Sequence, residues 1–263
     1  AEAHGQIFDV GKSAEELDLN SARGGSVIGP SIDVRWALRA AAGRAADYPA
    51  DARPKAYGQL AKALGSDENR IVWCHGASDV IVRVAAVAAA RACVEDGDSI
   101  SANDMALLQG PTWPNVTALI RSGGLVTHTK VGYPDPWLVD DASEQFWRGL
   151  EREVLGFSPP ALVYLVHPHF PTGIKDPNFG ARLKSIVERV RSSTVFAVDQ
   201  TYLGFTELTE DDKVLEELAK EHSSVVLIRS LSKVEGLAAV RLGYALATPA
   251  TAKELADSLP FSG

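Results

Sequence analysis

Methionine, cysteine and long apolar runs are the scarce features of this 263-residue chain. Its only methionine is Met105, so Ala1 is not a translation start, and no signal-like apolar region follows it. The expectation is a processed or cut chain, whose length is the extent of a piece. Two cysteines, Cys74 and Cys93, both in apolar stretches, argue against a disulfide framework and fit a reducing compartment, with a cytoplasmic location expected. The longest apolar run, Val84 to Ala90, is far too short to cross a bilayer. No basic block exists either. Twenty-six Lys and Arg face thirty-four Asp and Glu, for a net charge of −8. That balance leaves no electrostatic footprint for nucleic acid or an anionic membrane as partner. What is present is ordinary globular composition, with 46% hydrophobic and 23% charged residues. Disordered and fibrous architectures are excluded, and there is enough apolar surface for a core.

From about residue 70 onward, short apolar runs alternate with helix-like stretches. Strands are expected at 71–74, 106–109, 124–129, 161–166, 194–198, 225–228 and 242–247. Helices are expected at 79–93, from Trp113, at 176–191, 213–221 and 249–258. The 79–93 helix is apolar nearly all round and should be deeply buried. Continuous apolar strands separated by helices predict an α/β fold with a mostly parallel sheet covered on both faces, a three-layer α/β/α sandwich. Residues 1–18 are polar and unpatterned, and helices are plausible at 31–46 and 55–64. Residues 1–47 read as an arm and lead-in helix, without repeats or low-complexity tracts.

In doubly wound sheets a ligand sits beyond the carboxyl ends of the strands, and four polar clusters fall there. His75-Gly76-Ala77-Ser78-Asp79 opens a helix whose free N–H groups suit a phosphate, although alone it reads as a plain N-cap. His167-Pro168-His169-Phe170-Pro171-Thr172-Gly173 is a rigid irregular loop. No Cys, Asp or Glu at ligand spacing joins its histidines, which argues against a metal. Asp199, followed by Gln200-Thr201-Tyr202, is a carboxylate after an apolar strand and needs a cationic partner. Ser230-Leu231-Ser232-Lys233, with Arg241 beyond, sets a lysine capable of Schiff-base chemistry beside groups that could hold a dianion. Taken one at a time, each cluster has a bland reading as a cap, turn, ion pair or solvated lysine. Taken together they are the groups pyridoxal 5′-phosphate (PLP) requires: a lysine for its aldehyde, a carboxylate for its ring nitrogen and donors for its phosphate.

On these motifs the chain resembles the fold-type I PLP-dependent aminotransferases of class I/II, and within them the histidinol-phosphate aminotransferase branch. The likeness runs from about Leu19-Asn20 to the end, and Tyr48-Pro49 followed by Arg53-Pro54-Lys55-Ala56 is similar to that branch's N-terminal region. The resemblance implies Lys233 as the Schiff-base lysine and proton carrier, Asp199 as the partner of the pyridine N–H, and Tyr202 as donor to the phenolate oxygen. It implies Ala77, Ser78, Ser230, Ser232 and Arg241 around the phosphate, and Trp113, within Gly110-Pro111-Thr112-Trp113-Pro114, on the ring face. Tyr48 matches a tyrosine that reaches the neighbouring subunit's phosphate, which implies a homodimer. The implied substrates are an amino acid and a 2-oxo acid. The implied organisation is a PLP-binding large domain over 48–258, with 259–263 starting a linker to a C-terminal small domain that is missing.

Three departures stand out. The family carries an asparagine before Pro-Thr-Gly that donates to the phenolate oxygen; here the position is Phe170, unless His167 or His169 folds in. Loss of such a charge-assisted bond is worth roughly 1.5–3 kcal/mol. Residues 99–105 look like an insertion. The arginine that grips the substrate carboxylate belongs to the missing small domain. Phe170 keeps open a PLP-dependent decarboxylase or lyase, and with the missing domain it also keeps open a catalytically silent module.

Overall fold

The computed structural model describes residues 32–42, 53–96, 105–132 and 141–258. Seven strands, β1 (Ile71–Cys74), β2 (Met105–Gly110), β3 (Val126–Gly132), β4 (Leu162–Val166), β5 (Val195–Asp199), β6 (Val225–Ser230) and β7 (Gly243–Leu246), form one sheet in the order β1-β7-β6-β5-β4-β2-β3. The pairs among β2 to β6 are parallel, as the continuous apolar runs predict. By contrast, β7 pairs antiparallel with both β1 and β6. That reversal brings the N-terminal end of β7 to the edge where the other strands have their carboxyl ends.

Alternation along each strand explains the three layers. Leu162, Tyr164 and Val166 of β4 face one core with Val195 and Ala197 of β5; Val163 and Leu165 face the other with Phe196 and Val198. The first core is covered by helices α3 (Ala77–Asp96), α4 (Val116–Ser122) and α8 (Pro249–Asp257), through Val80, Val84, Ile120 and Leu255. The second is covered by α5 (Ala142–Val154), α6 (Phe179–Val187) and α7 (Glu210–Glu221), through Phe146, Leu150, Leu183 and Leu215. The all-round apolar character of α3 is thus spent on the sheet and on its neighbours α4 and α8. Before the sheet lie α1 (Ile32–Ala42), with no buried residue, and α2 (Arg53–Ala63), whose Tyr57 stacks on Trp73 of β1.

Several boundaries differ from expectation for local reasons. Helix α7 starts at Glu210 rather than 213, because Thr209 and Asp212 form a capping box. Helix α6 is shorter than 176–191. Asp176 accepts from the amide of Asn178, Trp147 Nε1 and Ser143 Oγ, so the segment before α6 is a bonded turn. Helix α4 begins at Val116, three residues past Trp113. Helix α5 lies outside the expected elements, although Ala142, Phe146, Leu150 and Val154 recur every four residues along it. Cys74 is buried, whereas Cys93 is exposed near the end of α3, and both are free thiols. No helix among the described residues is long and apolar enough to cross a membrane.

Candidate active site

The polar clusters converge on one cleft of about 270 Å³ at the carboxyl edge of the parallel strands. One end of it is built for an anion. Helix α3 begins at Ala77, so the first amides of a 20-residue helix, those of Ala77 and Ser78 among them, lack helical partners and carry its positive dipole end. Arg241 comes to the same end because β7 runs antiparallel: its backbone sits at φ 54°, ψ 53°, just before Gly243, which pairs with Cys74. Its Nη1 donates to the carbonyl of Ala238 at 3.1 Å and to Ser232 Oγ at 3.4 Å. Ser230 Oγ accepts from the Ser232 amide at 3.1 Å, which tightens the turn leading to Lys233.

Two glycines make this approach possible. Gly76 has φ +80°, and a Cβ there would stand 2.5 Å from Arg241 Nη2; a Cβ on Gly243 would meet the backbone of Gly76 and Ala77 at 2.7–2.8 Å. Only bare backbone lets the guanidinium and the helix start share one corner.

Elsewhere the cleft carries a buried acid. Asp199, at the end of β5, accepts from Tyr164 Oη at 2.5 Å on Oδ2 and from the Thr201 amide at 2.9 Å on Oδ1. Burial pushes its pKa up, against the hydrogen bonds from Thr201 and Tyr164 and the charge of Lys233. Lys233 is half-buried; burial lowers its amine below the ordinary lysine range, opposed by Asp199 and assisted by Arg241. Its Nζ lies 5.4 Å from the centroid of the Tyr202 ring. Trp113, 40% exposed, forms part of the wall.

Nine of the ten residues singled out from the sequence therefore line one cavity: Ala77, Ser78, Trp113, Asp199, Tyr202, Ser230, Ser232, Lys233 and Arg241. The tenth, Tyr48, lies outside the described residues. Phe170 also lines the cleft, stacked on Tyr202 with centroids 5.2 Å apart and planes 7° from parallel. Neither histidine folds in to replace the missing donor. His167 is buried against Phe179, with ring centroids 4.2 Å apart, and His169 Nδ1 pairs with Thr172 Oγ1 at 2.7 Å. Tyr164, with Thr112 and Thr201, is a polar lining group absent from the residues expected at the site. It sits inside an apolar strand, where a tyrosine reads as core. Among the described residues no group of three or more His, Cys, Asp or Glu converges as a metal site would require.

An anion corner of amides, hydroxyls and a guanidinium, a buried carboxylate and a deprotonation-prone lysine suit a ligand with a phosphate dianion, a protonated ring nitrogen and an aldehyde. Comparison with known proteins points the same way. The family model for aminotransferase class I and II matches residues 16–260. Histidinol-phosphate aminotransferase of Staphylococcus carnosus is 27% identical over 234 residues, covering 89% of this chain and 60% of that protein. Among solved structures, histidinol-phosphate aminotransferase from Sinorhizobium meliloti in complex with pyridoxal-5′-phosphate is similar with TM-score 0.68 and 25% identity. The match covers 90% of this chain and 58% of that one. L-threonine-O-3-phosphate decarboxylase from Porphyromonas gingivalis shares the fold with TM-score 0.62 at 18% identity, over 89% of this chain and 64% of that one. The chain spans less than two thirds of the length of the curated relatives it matches.

Proposed function

The chain belongs to the aminotransferase class I and II family, whose cofactor is pyridoxal 5′-phosphate, and from that premise we propose that it is an aminotransferase exchanging an amino group between an amino acid and a 2-oxo acid. The observation that carries the reading is the convergence of Lys233, Asp199 and Arg241 on a single cleft at the strand ends. When bound, the cofactor supplies an electron sink and an aldehyde carbon that can carry the amino group. The chain's own residues divide the remaining work. Ala77 and Ser78 amides, the Ser230 and Ser232 hydroxyls and Arg241 hold the phosphate. Asp199, ionised, keeps the ring nitrogen protonated. Tyr202 donates to the phenolate oxygen, and Trp113 covers a ring face. Lys233 Nζ, its amine made easier to deprotonate by burial, would hold the cofactor at its aldehyde and, once displaced by the incoming amino acid, would take and return the substrate's α-proton.

The proposal extends to the organisation of the chain: residues 1–47 as arm and lead-in helix, 48–258 as PLP-binding large domain, and 259–263 as the start of a linker to a small domain. A homodimer in which Tyr48 serves the partner's phosphate completes the site, and the free thiols of Cys74 and Cys93 fit a cytoplasmic enzyme. Phe170 favours a second reading. A hydrocarbon ring where the family has a donor leaves the phenolate oxygen with one bond fewer, which could divert the same site to decarboxylation or elimination.

Addition of PLP to the chain should raise a visible absorbance band that is lost in Lys233→Ala. Histidinol phosphate, named by the relatives, is the first amino donor to test with a 2-oxo acid acceptor. A new amino acid product supports transamination, carbon dioxide or an eliminated group supports the second reading, and the absence of any band sinks both.

A further inference from the structure

We propose that Tyr164 is a positioning residue for the cofactor's ring nitrogen, acting through Asp199: its hydroxyl holds the Asp199 carboxylate in one plane and in its ionised form. The inference rests on the reading of Asp199 given above and goes beyond it.

The geometry comes from strand register. In the parallel β4–β5 pair, Tyr164 stands opposite Ala197 and Val166 opposite Asp199. Residues two apart on a strand share a face, so Ala197 and Asp199 lie on the face that Tyr164 occupies. The short Ala197 side chain leaves room for the tyrosine to lean along the sheet to its diagonal neighbour. There its Oη donates to Asp199 Oδ2 at 2.5 Å, while the Thr201 amide donates to Oδ1 at 2.9 Å. Two donors on two different oxygens fix both the position and the plane of the carboxylate. One donor would leave it free to swing about that bond.

Chemistry gives the contact its direction. A tyrosine hydroxyl this deeply buried beside a carboxylate has its own pKa pushed well above the ordinary value, by burial first and by Asp199 second, so it remains a donor at any working pH. Among the described residues, the other titratable or charged groups lining this cleft are Tyr202 from the turn after β5 and Lys233 from the loop after β6, with Arg241 beside Lys233. The α3 residues on this side of the cleft, Ala77, Ser78 and Ile81, carry no charge. Burial favours the protonated acid, and Tyr164 is one of the donors that oppose it. A protonated Asp199 could not pair with a protonated ring nitrogen.

The test is PLP binding to the 263-residue chain, followed by the visible band across a pH series, in wild type, Tyr164→Phe, Asp199→Asn and the double variant. Binding should weaken as the pH falls through the Asp199 pKa. Removing the donor raises that pKa, so in Tyr164→Phe this acid limb should move to higher pH by about one unit or more. In the Asp199→Asn background, Tyr164→Phe should change nothing, because a residue that acts through Asp199 loses its lever. An acid limb that stays put in Tyr164→Phe, or an equal loss of affinity with and without Asp199, would make Tyr164 a core filler and overturn the proposal. A thermal melt of each variant separates a folding defect from a shifted limb. A chain that binds no PLP even as wild type overturns the underlying reading, and the inference falls with it.

Discussion

In the proposed reaction, Asp199 and Phe170 are the two residues on which the chemistry would turn. The carboxylate is buried, doubly hydrogen-bonded and near the charge of Lys233. Asparagine at 199 keeps the shape and loses the charge. PLP affinity should fall only in part, because the phosphate corner persists, while turnover falls about 100-fold or more, the scale of losing one preorganised electrostatic contact. Unchanged turnover would place Asp199 away from the ring nitrogen. Phe170 stacks flat on Tyr202 and offers no donor. Restoring asparagine there adds a hydrogen bond to the phenolate oxygen, worth about 1.5–3 kcal/mol, or roughly 1–2 pH units. A donor withdraws charge from the phenolate, so Phe170→Asn should lower the pH midpoint of the bound cofactor's visible band by that amount. An unmoved midpoint would mean that the side chain at 170 does not face that oxygen.

At the scale of elements, the site depends on the corner where β1 turns into α3 and meets the start of β7. Gly76 and Gly243 meet in that corner, yet their substitution should have unlike effects. A Cβ on Gly76 collides with the far end of the flexible Arg241 side chain and strains a positive φ. Gly76→Ala should therefore cost about 1 kcal/mol of stability and weaken PLP binding more visibly, by displacing the guanidinium. A Cβ on Gly243 collides with backbone that cannot give way without parting β1 from β7. Gly243→Ala should cost about 1–3 kcal/mol, read by chemical denaturation. Equal losses in the two variants would argue against this division.

The whole molecule carries a pH dependence of stability that no single element reveals. His167 and His169 are both buried, and burial lowers each pKa from 6.5 to about 4. Their unfolded forms bind protons across that window and the folded forms do not, so their contribution to stability is full above about 6.5 and is lost as the pH falls toward about 4. Asp176 and Asp212, held below their ordinary values by hydrogen bonds that outweigh burial, extend the loss to lower pH with the same sign, while Asp199 and Asp211, raised by burial, offset part of it. The melting temperature should thus drop steadily between neutral pH and 4, with a shallower slope in His167→Gln; a flat profile would contradict neutral buried imidazoles.

Much of this was legible from one-dimensional pattern. Continuous apolar runs such as 162–166 and 195–198 announce buried parallel strands, because both faces of such strands meet helices and the sequence need not alternate. The polar residue types that follow those runs, Asp199 and the Ser230-to-Lys233 turn, mark the cleft that the fold then assembles. Three things were not legible. The antiparallel sense of β7 is a matter of pairing between distant segments, yet it is what delivers Arg241 to the helix start. The choice between solvent and core for His167 and His169 depends on what packs over the loop, here Phe179 and Thr172. Tyr164 looks like any other core aromatic until strand register aims it at Asp199. Residue chemistry is local and can be read along the chain; register and strand direction are decided between segments dozens of residues apart, and only the folded sheet decides them.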